Sequence, residues 1–141
     1  MSVKQLLFGF VAGALAVLVF HQGMVLLLHT IGSLPNAPWN FSTMKGPLPI
    51  PVLVNQMFWG GLWGMGFAVL GQFIPVSASW LRGLIFGLVG PALLGNGLLV
   101  PFFRGTAYLW GGQPSRILIS ALIGGAFGIG IGLIFPRLGK K

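Results

Sequence analysis

The chain has 141 residues, 55% hydrophobic and 6% charged, with eight Lys and Arg and no Asp, Glu or Cys. A soluble domain carries about 25% charged residues to face water; this chain lacks the polar groups to cover its own surface, and lipid is its expected solvent. The missing cysteines exclude disulfides, thiolate metal sites and cysteine nucleophiles.

Four apolar stretches are each long enough to cross a hydrocarbon core about 30 Å thick at about 1.5 Å per helical residue. The first covers residues 5–31. Lys4, the run that follows it and "ALA" at 14–16 imitate a cleavable signal. The run continues to Leu28, longer than a signal core of about 7 to 15 residues, so a retained span is expected. Its "HQGMVLLLH" sets His21 and His29 eight positions apart, about 12 Å along one helix. Two histidines so placed cannot ligate one haem from opposite faces. Copper at His21 and Met24 lacks a further ligand, and a proton relay lacks an intramembrane carboxylate. No cofactor and no metal are expected; His29 belongs at the outer interface and His21 in a polar cluster.

An outer loop over 32–50 follows, and "PNAPWNFSTMKGPLPIP" at 35–51 predicts extended chain lying along headgroups, with Trp39 and Phe41 as interfacial aromatics. A loop of this length fits a lid over an outer pocket. "NFS" at 40–42 is a formal glycosylation sequon, too short a match to build on. The second span covers 51–74, the third 81–103 and the fourth 115–135. In the second, Gln56, Gly60, Gly64, Ala68 and Gln72 recur every fourth residue; in the fourth, Ser120, Gly124, Gly128 and Gly132 do the same. Gly9 with Gly13, and Gly83 with Gly87, form shorter ladders. Glycine disfavours a helix by roughly 1 kcal/mol relative to alanine. Such ladders are explained by close helix approach, which matters where lipid gives no hydrophobic drive between helices. Pro91, in "GPALLGNG", predicts a kink or partial unwinding of the third span. Trp59, Trp63, Trp80 and Trp110 read as packing or interfacial anchors.

"FGFVAGAL" at 8–15 matches "FGLVGPAL" at 86–93, and "GGLWGMG" at 60–66 matches "GGAFGIG" at 124–130. The two matches, in the same order, predict a tandem duplication of a helical hairpin: repeat one at 4–75, repeat two at 82–136, in parallel orientation. The fold class expected is therefore an all-α integral membrane protein, a four-transmembrane-helix bundle in a 2+2 arrangement forming one domain over 1–141. Lys4, Arg82, Arg137, Lys140 and Lys141 fall on one side, and Lys45, Arg104 and Arg116 on the other. That imbalance favours both termini in the cytoplasm. Basic residues standing singly at span ends snorkel onto lipid phosphates; the bilayer, and no nucleic acid, is the expected partner.

The polar residues inside the spans share one depth in the outer half. His21, Gln22, Asn55, Gln56, Asn96 and Arg116 are the candidate outer polar pocket, with Ser120 nearby. Unsatisfied polar groups in hydrocarbon cost several kcal/mol, so these side chains should meet, either as glue or as a water-accessible pocket for an anionic or neutral ligand. Gly60, Gly64, Gly124, Gly128 and Gly132 are the candidate packing residues. No nucleophile–base pair or phosphate loop is visible, catalytic residues are not expected, and the chain does not read as an enzyme.

At "FHQGMVLLLH…APW" followed by "FWGGLWGMGF" the chain resembles a group of small four-span inner-membrane proteins of bacteria. That group has no assigned activity, so the resemblance implies the four-span architecture and an inner (plasma) membrane location only. Two functions remain open. One is association through small-residue ladders, as an accessory subunit, a homo-oligomer or part of a larger membrane complex. The alternative is a small transporter or channel with an outward-facing polar pocket.

Overall fold

The computed structural model describes residues 2–139, and Lys140 and Lys141, two of the five charges assigned to the cytoplasmic side, lie outside them. Among the described residues four long helices carry the fold: α1 (Val3–Thr30), α2 (Val52–Leu70), α3 (Ser79–Arg104) and α4 (Pro114–Leu138). Three of them, α1, α3 and α4, are long and apolar enough to cross a membrane. The expectation of four is met in number of helices but not in apolarity. α2 has 19 residues, and its Asn55, Gln56 and two tryptophans dilute the hydrocarbon.

Each helix begins and ends for local reasons. α1 starts two residues ahead of the predicted span because Ser2 and Gln5 form a reciprocal cap. The Gln5 N–H donates to Ser2 Oγ at 3.3 Å and the Ser2 N–H to Gln5 Oε1 at 3.0 Å, which satisfies two end donors at once. It stops where Gly32 turns to φ +77°, a conformation cheap only for glycine. α2 has no side-chain cap; instead the preceding loop supplies carbonyls, Asn40 O to the Leu53 N–H and Ser42 O to the Val52 N–H. α3 closes on Gly105, left-handed at φ +63°.

Two helices leave ideal α geometry. α1 widens to a π turn over Val17–His21, and α3 is π-helical over Leu88–Leu99, around Pro91. Proline lacks an N–H and its ring crowds the carbonyl of the preceding turn. The predicted break at Pro91 is thus taken up by widening, and the helix runs on through it.

The glycine ladders set the packing. α1 lies on α2, and α3 on α4. A β-carbon built on Gly9 would come 2.6 Å from the Gly64 carbonyl oxygen, and one on Gly13 would overlap that of Gly60. Gly83 meets Gly128 and Gly87 meets Gly124 in the same backbone-to-backbone fashion, and Gly132 faces the Ser79 carbonyl. The Ser79 hydroxyl donates to the Gly132 carbonyl at 2.5 Å, pinning the end of that contact. Every ladder glycine is therefore in contact with another helix of the same chain.

The two hairpins join along two unlike seams. Between α1 and α4 the approach is close: Ala12, Ala16 and Ile131 are fully buried, and Gly130 sits against the Phe20 ring and the Ala16 methyl. Between α2 and α3 aromatic rings fill a wider gap. Phe86 meets Trp63 at 6.1 Å and Phe67 at 5.4 Å, both edge to face. Gly90 and Gly95 make room for the Trp63 indole. Edge-to-face pairs contribute about 0.5–1.5 kcal/mol beyond area burial, so rings do here what close backbone contact does at the other seam. Large apolar side chains such as Leu7, Val19, Phe58, Leu93 and Leu118 remain exposed on the outside.

Candidate functional site

The polar residues that share a depth in the sequence separate into two groups in space. The first centres on Gln22, 2% exposed and the buried polar side chain of the core. Its Oε1 accepts the Trp39 backbone N–H at 2.7 Å. A backbone N–H can only donate, which fixes the amide orientation. Nε2 then donates to Gln56 Oε1 at 2.8 Å and faces His21 Nδ1 at 3.3 Å. Three elements, α1, α2 and the outer loop, thus meet at one amide. His21 Nδ1 must be the bare nitrogen, which leaves the ring proton on Nε2.

The loop is anchored a second time by the same residue. Trp39 Nε1 donates to the Leu18 carbonyl at 2.9 Å, inside the π turn of α1, where widening disturbs the regular ladder and frees backbone oxygen for outside donors. Trp39 itself is left-handed, φ +49°, a conformation costing a non-glycine residue about 1–2 kcal/mol. The loop was expected along headgroups as a lid; its tryptophan is instead docked on the helix pair, and no sequence signal identified it as a partner of Gln22. His29 serves the loop as well, its Nδ1 bonded at 2.9 Å to the Leu34 carbonyl. A carbonyl accepts only, so Nδ1 carries the proton there.

The second group lines a cleft of about 420 Å³ between α1, α3 and α4. His21, Asn96, Arg116 and Ser120 supply its polar atoms; Val100, Ile119 and Ile123 supply apolar wall, with Leu34 and Trp110 at the loop end. Arg116, Ile119, Ser120 and Ile123 follow helical spacing on one face of α4. Asn96 and Arg116 are exposed, and Arg116 forms no side-chain hydrogen bond or ion pair among the described residues. Ser120 Oγ is buried without a partner. Trp110 is held over Gly97 by a left-handed run, Leu109 at φ 49°, Trp110 at 56°, Gly111 at 65° and Gly112 at 72°.

Of the six predicted pocket residues, His21, Asn96 and Arg116 line the cleft. Gln22 and Gln56 lie outside it, joined to each other. Asn55 is half-buried and its side chain makes no hydrogen bond among the described residues, so the single cluster expected is not formed. Ser120 and Trp110 belong to the cleft and were not assigned to the site. Among the described residues no three His, Cys, Asp or Glu side chains gather as a metal site would require. Chemically the cleft offers donors: a guanidinium, an imidazole N–H, an amide and an unpaired hydroxyl, with no negative group to face them.

A second, shallower cleft of about 350 Å³ opens at the other end of the α1–α4 seam, lined by Lys4, Gln5, Phe8, Phe135, Pro136 and Gly139. Its cation is already engaged, Lys4 Nζ lying 5.5 Å from the Phe8 ring centre. No protein-family model, curated protein or solved structure matches the chain.

Proposed function

We propose that the chain is a four-span inner-membrane protein of bacteria, with both termini cytoplasmic, that acts by binding rather than catalysis. In this reading its outer cleft takes up an anionic or oxygen-rich neutral ligand for transport or presentation. The architecture is supported by three helices of spanning length and apolarity, and by α2, which at 19 residues reaches about 29 Å at 1.5 Å per residue. The apolar exterior supports lipid as the surrounding solvent. A tandem duplication is supported by the matching ladders of the two hairpins. Their contacts equate Gly9 with Gly83 and Gly64 with Gly128. That register differs by one helical turn from the alignment of "FGFVAGAL" with "FGLVGPAL", which equates Gly9 with Gly87.

The observation that carries the function is Arg116 at the mouth of a donor-lined cleft, in a sequence without a single Asp or Glu. A side-chain counter-ion for it must come from outside the chain. The association reading drew its support from the ladders, and these are spent inside the molecule. Native mass spectrometry of the full chain, gently released from membranes, tests the reading. Wild type should retain a small-molecule adduct that Arg116→Gln loses. Equal adducts in both, or a stoichiometric foreign protein in place of a small molecule, would return the accessory-subunit reading to first place.

A further inference from the structure

We infer that the cleft between α1, α3 and α4 holds the phosphate of an outer-leaflet phospholipid, on Arg116, Ser120, His21 and Asn96. This rests on the membrane-bound reading above and names the ligand class for the same site.

The donor inventory comes first. Arg116 brings five N–H groups in a planar fork suited to phosphate oxygens. Ser120 adds a hydroxyl whose oxygen is buried and unpartnered, a state that a buried polar atom seldom keeps without a ligand or water. His21 carries its proton on Nε2, because Nδ1 is taken by the Gln22 amide, and Asn96 adds its amide hydrogens. No carboxylate exists in the chain to satisfy these groups. A metal cation has nothing anionic to bind, whereas a phosphodiester presents one negative charge and several acceptor oxygens.

Position comes second. Arg116 stands in the first turn of α4, a helix of 25 residues with no side-chain cap, so the helix end reinforces its attraction for an anion. Ser120 lies one turn further in, about 6 Å along the axis. The polar end is thus at headgroup level, where tryptophan is also favoured, and Trp110 sits there. The remaining wall is Val100, Ile119 and Ile123, continuous with exposed Leu118 and Leu122 on the outside. Acyl chains can follow that surface out of the cleft. At about 420 Å³ the space falls at the low end of small-molecule sites, about 300–1,000 Å³, enough for a headgroup while the chains stay in the bilayer.

A free phosphate shares the donor chemistry, so the test separates the two sources. The full chain, in an uncharged detergent, is melted in the presence of dioctanoyl phosphatidylglycerol, dioctanoylglycerol or inorganic phosphate. Only the phospholipid should raise the melting temperature saturably. Arg116→Gln should weaken its apparent affinity about tenfold or more, Ser120→Ala about threefold, and Lys45→Gln, outside the cleft, less than twofold. If Arg116→Gln does not fold, Ser120→Ala against Lys45→Gln decides. Stabilisation by inorganic phosphate to the same extent, lost in the cleft variants, would overturn the lipid assignment and leave the binding reading intact. Unchanged phospholipid affinity in both cleft variants, or no response to any probe, would overturn the inference; adduct loss from the Arg116→Gln protein then decides separately whether the cleft binds something else.

Discussion

Replacing Gln22 by leucine keeps a side chain of similar size in a site that is 2% exposed and removes the amide that joins α1, α2 and the outer loop. Three groups lose their partner: the Trp39 N–H, Gln56 Oε1 and His21 Nδ1. Hydrogen bonds between helices in membrane proteins contribute about 0.6 kcal/mol on average and about 1.7 at most, which sets the range for the Gln22–Gln56 pair. A backbone donor left without its acceptor costs about 1–3 kcal/mol when fully buried. Trp39 is 38% exposed, so its N–H regains some water and the low end applies. The contact to His21, at 3.3 Å, is the weakest and adds little. The sum is about 2–3 kcal/mol of lost stability, measured by equilibrium unfolding in mixed micelles. A second readout is local: trypsin should cut faster after Lys45 as the loop comes away from Leu18 and Gln22. Adding Gln56→Leu removes the stranded carbonyl, so the double variant should be less damaged than the two single losses added together by about 0.6–1.7 kcal/mol. A loss below about 0.5 kcal/mol, unchanged cleavage at Lys45 and strict additivity would together refute the view that one amide holds the three elements.

Gly64→Leu should collapse the yield of folded protein, since even a β-carbon there overlaps the Gly9 carbonyl; Gly23→Ala, which meets nothing within 4 Å, should be neutral or stabilising by up to about 1 kcal/mol. Equal behaviour of the two in detergent melts would mean that close backbone approach is not what the ladders provide. Asn55→Leu should change stability by less than about 0.5 kcal/mol, because its side chain bonds to no described residue. A loss comparable to that of Gln22→Leu in the same unfolding titration would show a partner that the geometry lacks.

The long apolar runs marked all four helices, because length and hydrocarbon content are visible residue by residue. The Ser2–Gln5 cap was equally readable, as a serine followed three residues later by glutamine, and was passed over. The i, i+4 glycines gave the ladders but not their partners, since a periodic stripe does not say which neighbour it faces. Depth along a helix can be counted from sequence; direction around it cannot without a phase. His21 and Gln22 are adjacent, and about 100° of rotation per residue turns one to the cleft and the other to α2 and the loop. Depth counting therefore merged residues that the fold separates. The π turn at Val17–His21 has no evident marker in the amino acids that form it, and the docking of Trp39 on its carbonyl was hidden with it.

That widened turn also fixes how long α1 has to be. It accommodates one more residue than an α turn over a similar rise, so everything from Gln22 to Thr30 is rotated by about 100° relative to an unbroken α-helix. Deleting any one amino acid between Val17 and His21 would let the segment revert to ordinary winding while every later side chain swung away from its present bearing. Lineages of this sequence should accordingly tolerate exchanges of one aliphatic or aromatic for another at these five places, and reject a change in their number.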